Sequence, residues 1–267
     1  MKDISLTNRV IIVTGASRGL GLTMARAFIE RGAFVVATSS RNSPALLAIE
    51  AEFGDQAICI SSDVTNPENA EALVAQTIEK WGKIDALVNN AGLGMRAISE
   101  NFNSQPTKFW EANINAWQKI VDTNVNGPFY LSRFAVPHML EARYGKIINI
   151  STSYQTMVRR GYSPYGSSKA FFEAATRSWA QELKETGVTV NVLLPGGATD
   201  TDLLPPSQNK KGADGNLLSP SIMIEPAVWL VSKFSDGVTG GRFIARFWDE
   251  EDLTKARSDT QIDPNIM

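Results

Sequence analysis

Residues 10–21 read VIIVTGASRGLG, four consecutive β-branched apolar residues running without a break into a turn that holds three glycines. A strand that is apolar at consecutive positions is buried on both faces, the pattern of a parallel sheet covered by helices on either side. Gly15, Gly19 and Gly21 follow the spacing G-x-x-x-G-x-G. One glycine permits a tight turn, one lets backbone approach a pyrophosphate, and one lets the following helix pack closely on the strand. Backbone N–H groups at a helix N-terminus, with the helix dipole, stabilise such an anion. Ser17, Arg18 and Leu20 lie between the glycines and belong to the same candidate turn. Alone, a glycine-rich turn is often only a connection; here it follows an opening strand and precedes a helix that should stop at Gly32.

Working outward, short β-branched runs recur. Strands are predicted over 10–14, 34–38, 57–61, 84–89, 146–151, 188–194 and 242–246, with helices over about 18–31, 43–53, 67–81, 115–143, 163–186 and 226–234. Asn66 as cap, Pro67 in the first turn and Glu68 near the positive end mark one helix start clearly. Strand–helix alternation with short connections predicts an α/β fold: one Rossmann-type, doubly wound, mostly parallel sheet of about seven strands with helices on both faces, spanning 1–267 as a single domain. Two segments break the rhythm. Residues 93–113 are longer than a tight connection requires. Residues 203–221, rich in Pro, Gly, Asn and Lys, are expected to be a mobile loop, read here as a substrate lid rather than a tolerated insertion because it follows a strand's carboxyl end. A C-terminal tail is expected over about 247–267, its polar last ten residues, SDTQIDPNIM, disordered.

Composition narrows the function. The chain has 267 residues, 43% hydrophobic and 20% charged, with 26 basic and 28 acidic residues giving a net charge of −2. That balance offers no electrostatic case for nucleic acid or a membrane surface. Cys59 is the only cysteine and His138 the only histidine, which argues against a disulfide, a metal site or a histidine-based hydrolase. No signal peptide is legible at the N-terminus, and no apolar run reaches the ~18 residues of a membrane span. A cytoplasmic protein is the default expectation.

The end of the second strand speaks to the dinucleotide. An acidic residue there would pair with a free ribose 2′-hydroxyl and repel a 2′-phosphate. Residues 37–42 instead read ATSSRN. Ser39, Ser40 and Arg41 stand at that position, and Arg18 could converge on the same phosphate, since guanidinium suits that ligand. The expectation is NADP(H) in preference to NAD(H), with NAD(H) possible; two solvated surface arginines are the plainer alternative. Asp63 either accepts from the adenine amine or serves as a turn residue within SSDVTNP.

Residues 149–169 read NISTSYQTMVRRGYSPYGSSK, a stretch crowded with hydroxyls. Tyr165 and Lys169 are spaced i, i+4 and share a helix face. A free phenol has a pKa of ~10, and a fixed ammonium that lowered it by about 3 units would supply ~4 kcal/mol of differential stabilisation. Tyr165 would then serve as acid in one direction and base in the other. Tyr154 and Tyr162 have no lysine four residues on.

Taken in order, TGASRGLG, Asp63-Val64, Asn89-Asn90-Ala91-Gly92, Asn124 within VDTNVNGPF, Tyr165-x-x-x-Lys169 and Pro195-Gly196 resemble the short-chain dehydrogenase/reductase family, over about residues 7–245. The resemblance implies that Tyr165 exchanges the proton with a small carbonyl or alcohol substrate. Lys169 would hold the nicotinamide ribose and lower the tyrosine pKa, and Asn124 would support a water-linked proton path. Asn90, Ala91 and Gly92 would shape the cofactor cleft. Pro195-Gly196 would contact the nicotinamide together with a threonine, Thr199 or Thr201. The family's catalytic serine usually lies thirteen residues before the tyrosine; that position is Thr152, flanked by Ser151 and Ser153. A threonine offers the same hydroxyl, and the role is assigned to Thr152 with its neighbours as alternatives. The family is usually dimeric or tetrameric, so a homodimer or homotetramer is expected.

The implied activity is an NADPH-dependent carbonyl reductase or alcohol dehydrogenase, with 3-oxoacyl thioester reduction a credible subtype. The rival from another class is a non-catalytic NADP(H)-binding sensor or scaffold. Substrate identity is barely encoded. Met157, Arg159, Arg160 and Tyr162 lie where substrate contacts are expected, the arginines either anchoring an anion or simply exposed. Trp110 and Trp117 either line a pocket or serve core or interface, and FIARFW near the C-terminus packs either on its own sheet edge or on a neighbour.

Overall fold

The computed structural model describes residues 4–206, 210–212 and 215–257. The opening run forms β1, Val10–Thr14, with all five residues buried, as a two-faced apolar strand requires. It leads into α1 (Gly19–Glu30), β2 (Phe34–Ser39), α2 (Pro44–Phe53), β3 (Ala57–Ser61), α3 (Pro67–Trp81) and β4 (Ala86–Asn89). The second half continues with α4 (Ile114–Val121), α5 (Gly127–Glu141), β5 (Gly145–Ile150), α6 (Tyr154–Met157), α7 (Tyr165–Glu182), β6 (Val188–Leu194), α8 (Ile224–Val231), β7 (Arg242–Ile244) and α9 (Leu253–Ala256).

Among the described residues the seven strands form one parallel sheet in the order β3-β2-β1-β4-β5-β6-β7. The order reverses between β1 and β4, so a crevice opens at their carboxyl ends. One apolar cluster on one face joins Met24 and Phe28 of α1 to Trp229 of α8. A second on the other face joins Leu73 of α3 to Leu131 and Met139 of α5. The predicted Rossmann-type doubly wound sheet is what the chain adopts. No helix among the described residues is long and apolar enough to cross a membrane.

The structure differs from the sequence reading at several boundaries. The helix predicted over 115–143 is broken by a π-helical segment, Asp122–Asn126, in which Gly127 N–H donates to the Asp122 carbonyl. Pro128 follows and has no N–H, so the Asn124 carbonyl cannot receive its i→i−4 bond. The strand predicted to 151 stops at Ile150, so Thr152 lies beyond the sheet ladder. Within FIARFW, Phe243, Ile244 and Ala245 are buried on the chain's own sheet and Phe247 is exposed, while Trp229 of α8 makes tilted ring contacts with Phe243 at 5.8 Å and Trp248 at 5.6 Å. Trp117 is half-buried and Trp110 is exposed.

Part of the expected lid is tied down. Leu218 N donates to the Ala198 carbonyl (2.8 Å) and Asp200 N to the Leu218 carbonyl (2.9 Å). Residues 207–209, 213–214 and the tail over 258–267 lie outside the described residues.

Candidate active site

The glycine turn is shaped by what it must touch. Gly15 and Gly19 have φ of +64° and +55°, a region L side chains rarely enter. A Cβ on Gly15 would sit 2.8 Å from Ala91 Cα, and one on Gly21 would run into Asn90 Nδ2 and the Gly15 carbonyl. The ends of β1 and β4 are also laced together. Thr14 Oγ1 accepts from Asn90 N (3.0 Å) and Ala91 N (2.9 Å), while Asn90 Nδ2 donates to the carbonyls of Thr14 (2.8 Å) and Gly15 (3.1 Å). Helix α1 starts at Gly19 behind an extended Arg18 with no side-chain cap, so its first N–H groups are open to an anion. Ser17 and Leu20 flank this opening. Gly21→Ala is expected to lower unfolding free energy by about 1–3 kcal/mol through overpacking, measurable by urea denaturation.

Farther along the crevice, Ser40 and Arg41 are exposed, and Ser39 Oγ donates to the Arg41 carbonyl. Arg18 pairs with Asp202 at 3.2 Å, both side chains being largely in solvent. Asp63 Oδ1 accepts from Thr65 N (3.0 Å) and Thr65 Oγ1 (2.8 Å), so Asp63 shapes the turn after β3. Val64 is buried, packed beneath Gly127. An open helix N-terminus, glycine cradles that a Cβ would fill and a carboxylate-free β2 end together fit a dinucleotide.

On the opposite wall, Gly196 has φ of +88°, and a Cβ there would lie 2.5 Å from Ile244 Cγ2. Pro195 is buried, and its carbonyl accepts from Arg246 N at 3.0 Å. The two threonines separate. Thr199 is buried, donating to the Gly197 carbonyl (3.3 Å) and bridged to Leu218. Thr201 faces the glycine turn, its Cγ2 3.1 Å from where a Gly19 Cβ would be. Leu203 packs on Gly94, and Arg96 Nη1 donates to the Asp202 carbonyl at 2.6 Å. Residues 201–203 therefore cross the crevice from the glycine turn to the loop after β4.

The hydroxyl-crowded stretch sorts itself at the end of β5. Ser151 Oγ donates to Glu173 Oε1 at 2.6 Å. Ser153 caps α6 by accepting from Thr156 N at 3.3 Å. Thr152 remains, half-buried and not engaged by a cap or by Glu173, and its hydroxyl tempers the rise in the Tyr165 phenol's pKa. Tyr162 Oη donates to Asn103 Oδ1 at 2.8 Å, and Tyr154 is exposed. Tyr165 opens α7; one turn on, Lys169 Nζ donates to the Ile150 carbonyl at 2.8 Å.

Asn124, fully buried in the π segment, accepts from Leu93 N (2.8 Å) and donates to the Leu93 carbonyl (3.0 Å) and Ser168 Oγ (3.0 Å). A Cβ on Gly92 would be 3.4 Å from Asn124 Oδ1 and 3.7 Å from Lys169 Nζ, so the crevice floor abuts the lysine. The structure thus brings Thr152, Tyr165, Lys169, Asn124 and Gly92 together. Arg159 and Arg160 are exposed, and Arg159 stacks over the Tyr162 ring at 4.8 Å.

Electrostatics depart from the expectation that Lys169 depresses the phenol. Burial pushes Tyr165 up to about 12, opposed by the Thr152 hydrogen bond and reinforced by Tyr162. Burial also brings Lys169 down to about 8, opposed by Glu173. In the chain by itself desolvation dominates, so at neutral pH the phenol carries its proton and the ammonium its charge.

Sequence reasoning missed the wall around Tyr165. Met95 and Phe102, from the long 93–113 connection, are buried against it, with Ile98 and Tyr162 packed alongside. No local spacing signals that contact. It also passed over Glu173, although the i, i+4 relation to Lys169 was legible.

A family profile described as short chain dehydrogenase matches residues 9–212. The chain is 35% identical over 193 residues to a 3-oxoacyl-[acyl-carrier-protein] reductase of Vibrio cholerae, covering 72% of this chain and 75% of that one. It is 32% identical over 232 residues to an NADP-dependent 3-hydroxy acid dehydrogenase of Escherichia coli K12, covering 84% and 88%. The crystal structure of a 3-ketoacyl-(acyl-carrier-protein) reductase from Brucella melitensis, complexed with NADH, superposes with a TM-score of 0.78 at 29% identity, covering 89% of this chain and 96% of that one. With the glycine crevice and the tyrosine–lysine helix already in place, these likenesses identify the chain as a member of the short-chain dehydrogenase family of oxidoreductases.

Proposed function

We propose that the chain interconverts a ketone and a secondary alcohol with NADP(H), Tyr165 being the proton donor to the substrate oxygen. The observation that carries this reading is that Tyr165 and Lys169 lie buried one turn apart on α7, with Lys169 anchored to the end of β5 just before half-buried Thr152 and abutting the crevice floor at Gly92. Bound NADPH would supply the hydride. Gly15, Ser17, Gly19, Leu20, Gly21 and the floor of Asn90, Ala91 and Gly92 would hold it, with Pro195, Gly196 and Thr199 or Thr201 at the far end. Thr152 orients the substrate oxygen with its hydroxyl, and the protonated phenol donates. Lys169 keeps a positive charge beside the reacting group. Asn124, whose carbonyl Pro128 cannot bond, would support a water that passes a proton toward Lys169.

The preference for the 2′-phosphate rests on Arg41, Ser40 and the absent carboxylate, with Arg18 able to leave its exposed partner Asp202. The NADP-dependent relative supports it, and the NADH-bound neighbour keeps NAD(H) within reach. Arg41→Asp is expected to reduce kcat/KM for NADPH by on the order of 10–100-fold through charge reversal at the phosphate, with NADH turnover spared; initial rates with both cofactors test this. Substrates are 3-oxoacyl thioesters or 3-hydroxy acids, after the two named relatives. Exposed Phe129 on α5 and Phe171 on α7 support self-association into a homodimer or homotetramer. A panel of ketones, 3-oxoacyl thioesters and alcohols, followed by nicotinamide absorbance, tests the activity. No turnover with any of them would overturn it.

A further inference from the structure

Behind the reacting groups lies an ion pair that none of the motifs contains. Arg242, at the start of β7, directs Nε to both carboxylate oxygens of Glu173 on α7, at 3.0 and 2.9 Å. The two side chains are only 14% and 20% exposed. The pair does not close on itself. Arg242 Nη2 donates to the Thr152 carbonyl at 2.9 Å, and Glu173 Oε1 accepts from Ser151 Oγ at 2.6 Å.

With Lys169 Nζ on the Ile150 carbonyl (2.8 Å) and Ser151 N on the Leu193 carbonyl (2.9 Å), three consecutive residues beyond and at the end of β5 are each held from a neighbouring element. Ser151 N still closes a ladder bond to β6, while the Thr152 carbonyl, beyond the ladder, is held by Arg242 instead. The Thr152 hydroxyl, read above as orienting the substrate oxygen, is carried on this peptide. Its position is therefore set by Arg242 and Glu173 as much as by the sheet.

We propose that Glu173 and Arg242 are positioning residues for the reaction, an ion pair that fixes the Thr152 backbone beside Tyr165 and presents a carboxylate one helical turn behind Lys169. The inference rests on Thr152, Tyr165 and Lys169 being the reacting set. Facing Lys169 are Tyr165, Glu173 and the Phe172 ring from its own helix, Asn124 from the π segment and Gly92 from the loop after β4, with Arg242 of β7 behind Glu173. Glu173 is the charge that opposes desolvation at Lys169. Neutralising it should let the ammonium lose its proton at lower pH, and removing Arg242 should do the reverse by leaving Glu173 less compensated. A merely structural pair has no reason to move the two in opposite directions.

The test uses the full chain with NADPH and a 3-oxoacyl thioester, comparing Glu173→Gln and Arg242→Met with the parent. In both, kcat is expected to fall about tenfold or more with KM and cofactor Kd little changed. The alkaline limb of the kcat profile, set by Lys169 in this reading, should move down by about one pH unit in Glu173→Gln and up in Arg242→Met. Glu173→Asp keeps the charge, so its limb should stay at the parent's place while kcat falls. Should Glu173→Gln not fold, the limbs of Arg242→Met and Glu173→Asp decide. Turnover within about twofold of the parent, or limbs that do not separate in the stated directions, overturns the proposal. Tyr165→Phe run in parallel distinguishes the two failures. If it is inactive while the pair variants match the parent, only this inference fails; if it is active, the reading beneath it fails.

Discussion

Tyr165→Phe is expected to abolish turnover, by on the order of 10³-fold or more, the scale of a lost general acid, while the fold and cofactor binding survive. The phenol is 8% exposed and packed by Met95 and Phe102, and phenylalanine fills the same space. What disappears is the buried phenolic proton itself. Burial holds that phenol up to about 12, so in the parent it is fully protonated across the working range and ready to donate in the reductive direction. The measurements are kcat by nicotinamide absorbance, NADPH binding by fluorescence and a thermal melt. Undiminished turnover would overturn the mechanism.

The second large effect is expected at Thr152. Thr152→Val keeps the branched shape and removes the hydroxyl, so kcat should fall on the order of 10²–10³-fold, as for a deleted oxyanion donor. Thr152→Ser keeps the hydroxyl and should stay within about tenfold of the parent, the lost methyl only freeing χ1. Ser153→Ala, by contrast, should affect stability alone. Its hydroxyl caps α6, and losing a cap costs about 0.5–2 kcal/mol. Steady-state kinetics on the three variants, with melts alongside, decide the assignment. A damaging Ser153→Ala with a fully active Thr152→Val would move the hydroxyl role by one residue.

Much of the architecture was legible because burial on both faces leaves a direct trace. Strands such as VIIVT and VTVNVLL are buried at every position, so their apolar runs mark the sheet without reference to anything distant. The glycine turn was legible for the same reason: Gly15 and Gly21 are glycines because Ala91, Asn90 and a carbonyl occupy the space of a Cβ. The break at Asp122–Asn126 left a weaker trace, since one widened turn barely alters a helical period, though Pro128 within the predicted helix was a hint. Long connections carried the least. That Met95 and Phe102 wall in Tyr165, or that Thr201 lies over Gly19 while Thr199 is buried, depends on how 93–113 and 199–206 drape over the crevice.

By itself, then, the sequence determined the doubly wound sheet, the crevice at its switch point, and the pairing of Tyr165 with Lys169 on one helical face. These follow from local rules of periodicity, turn geometry and i, i+4 spacing. Which of three adjacent hydroxyls is left for the substrate was a tertiary decision. It turns on β5 ending at Ile150, on Ser153 being taken by a cap and on Ser151 being taken by Glu173. The protonation of the site was decided there too, because desolvation is a property of the packed interior rather than of neighbours along the chain. The Glu173–Arg242 pair, joined across 69 residues, exists only once α7 and β7 have folded against the same strand end.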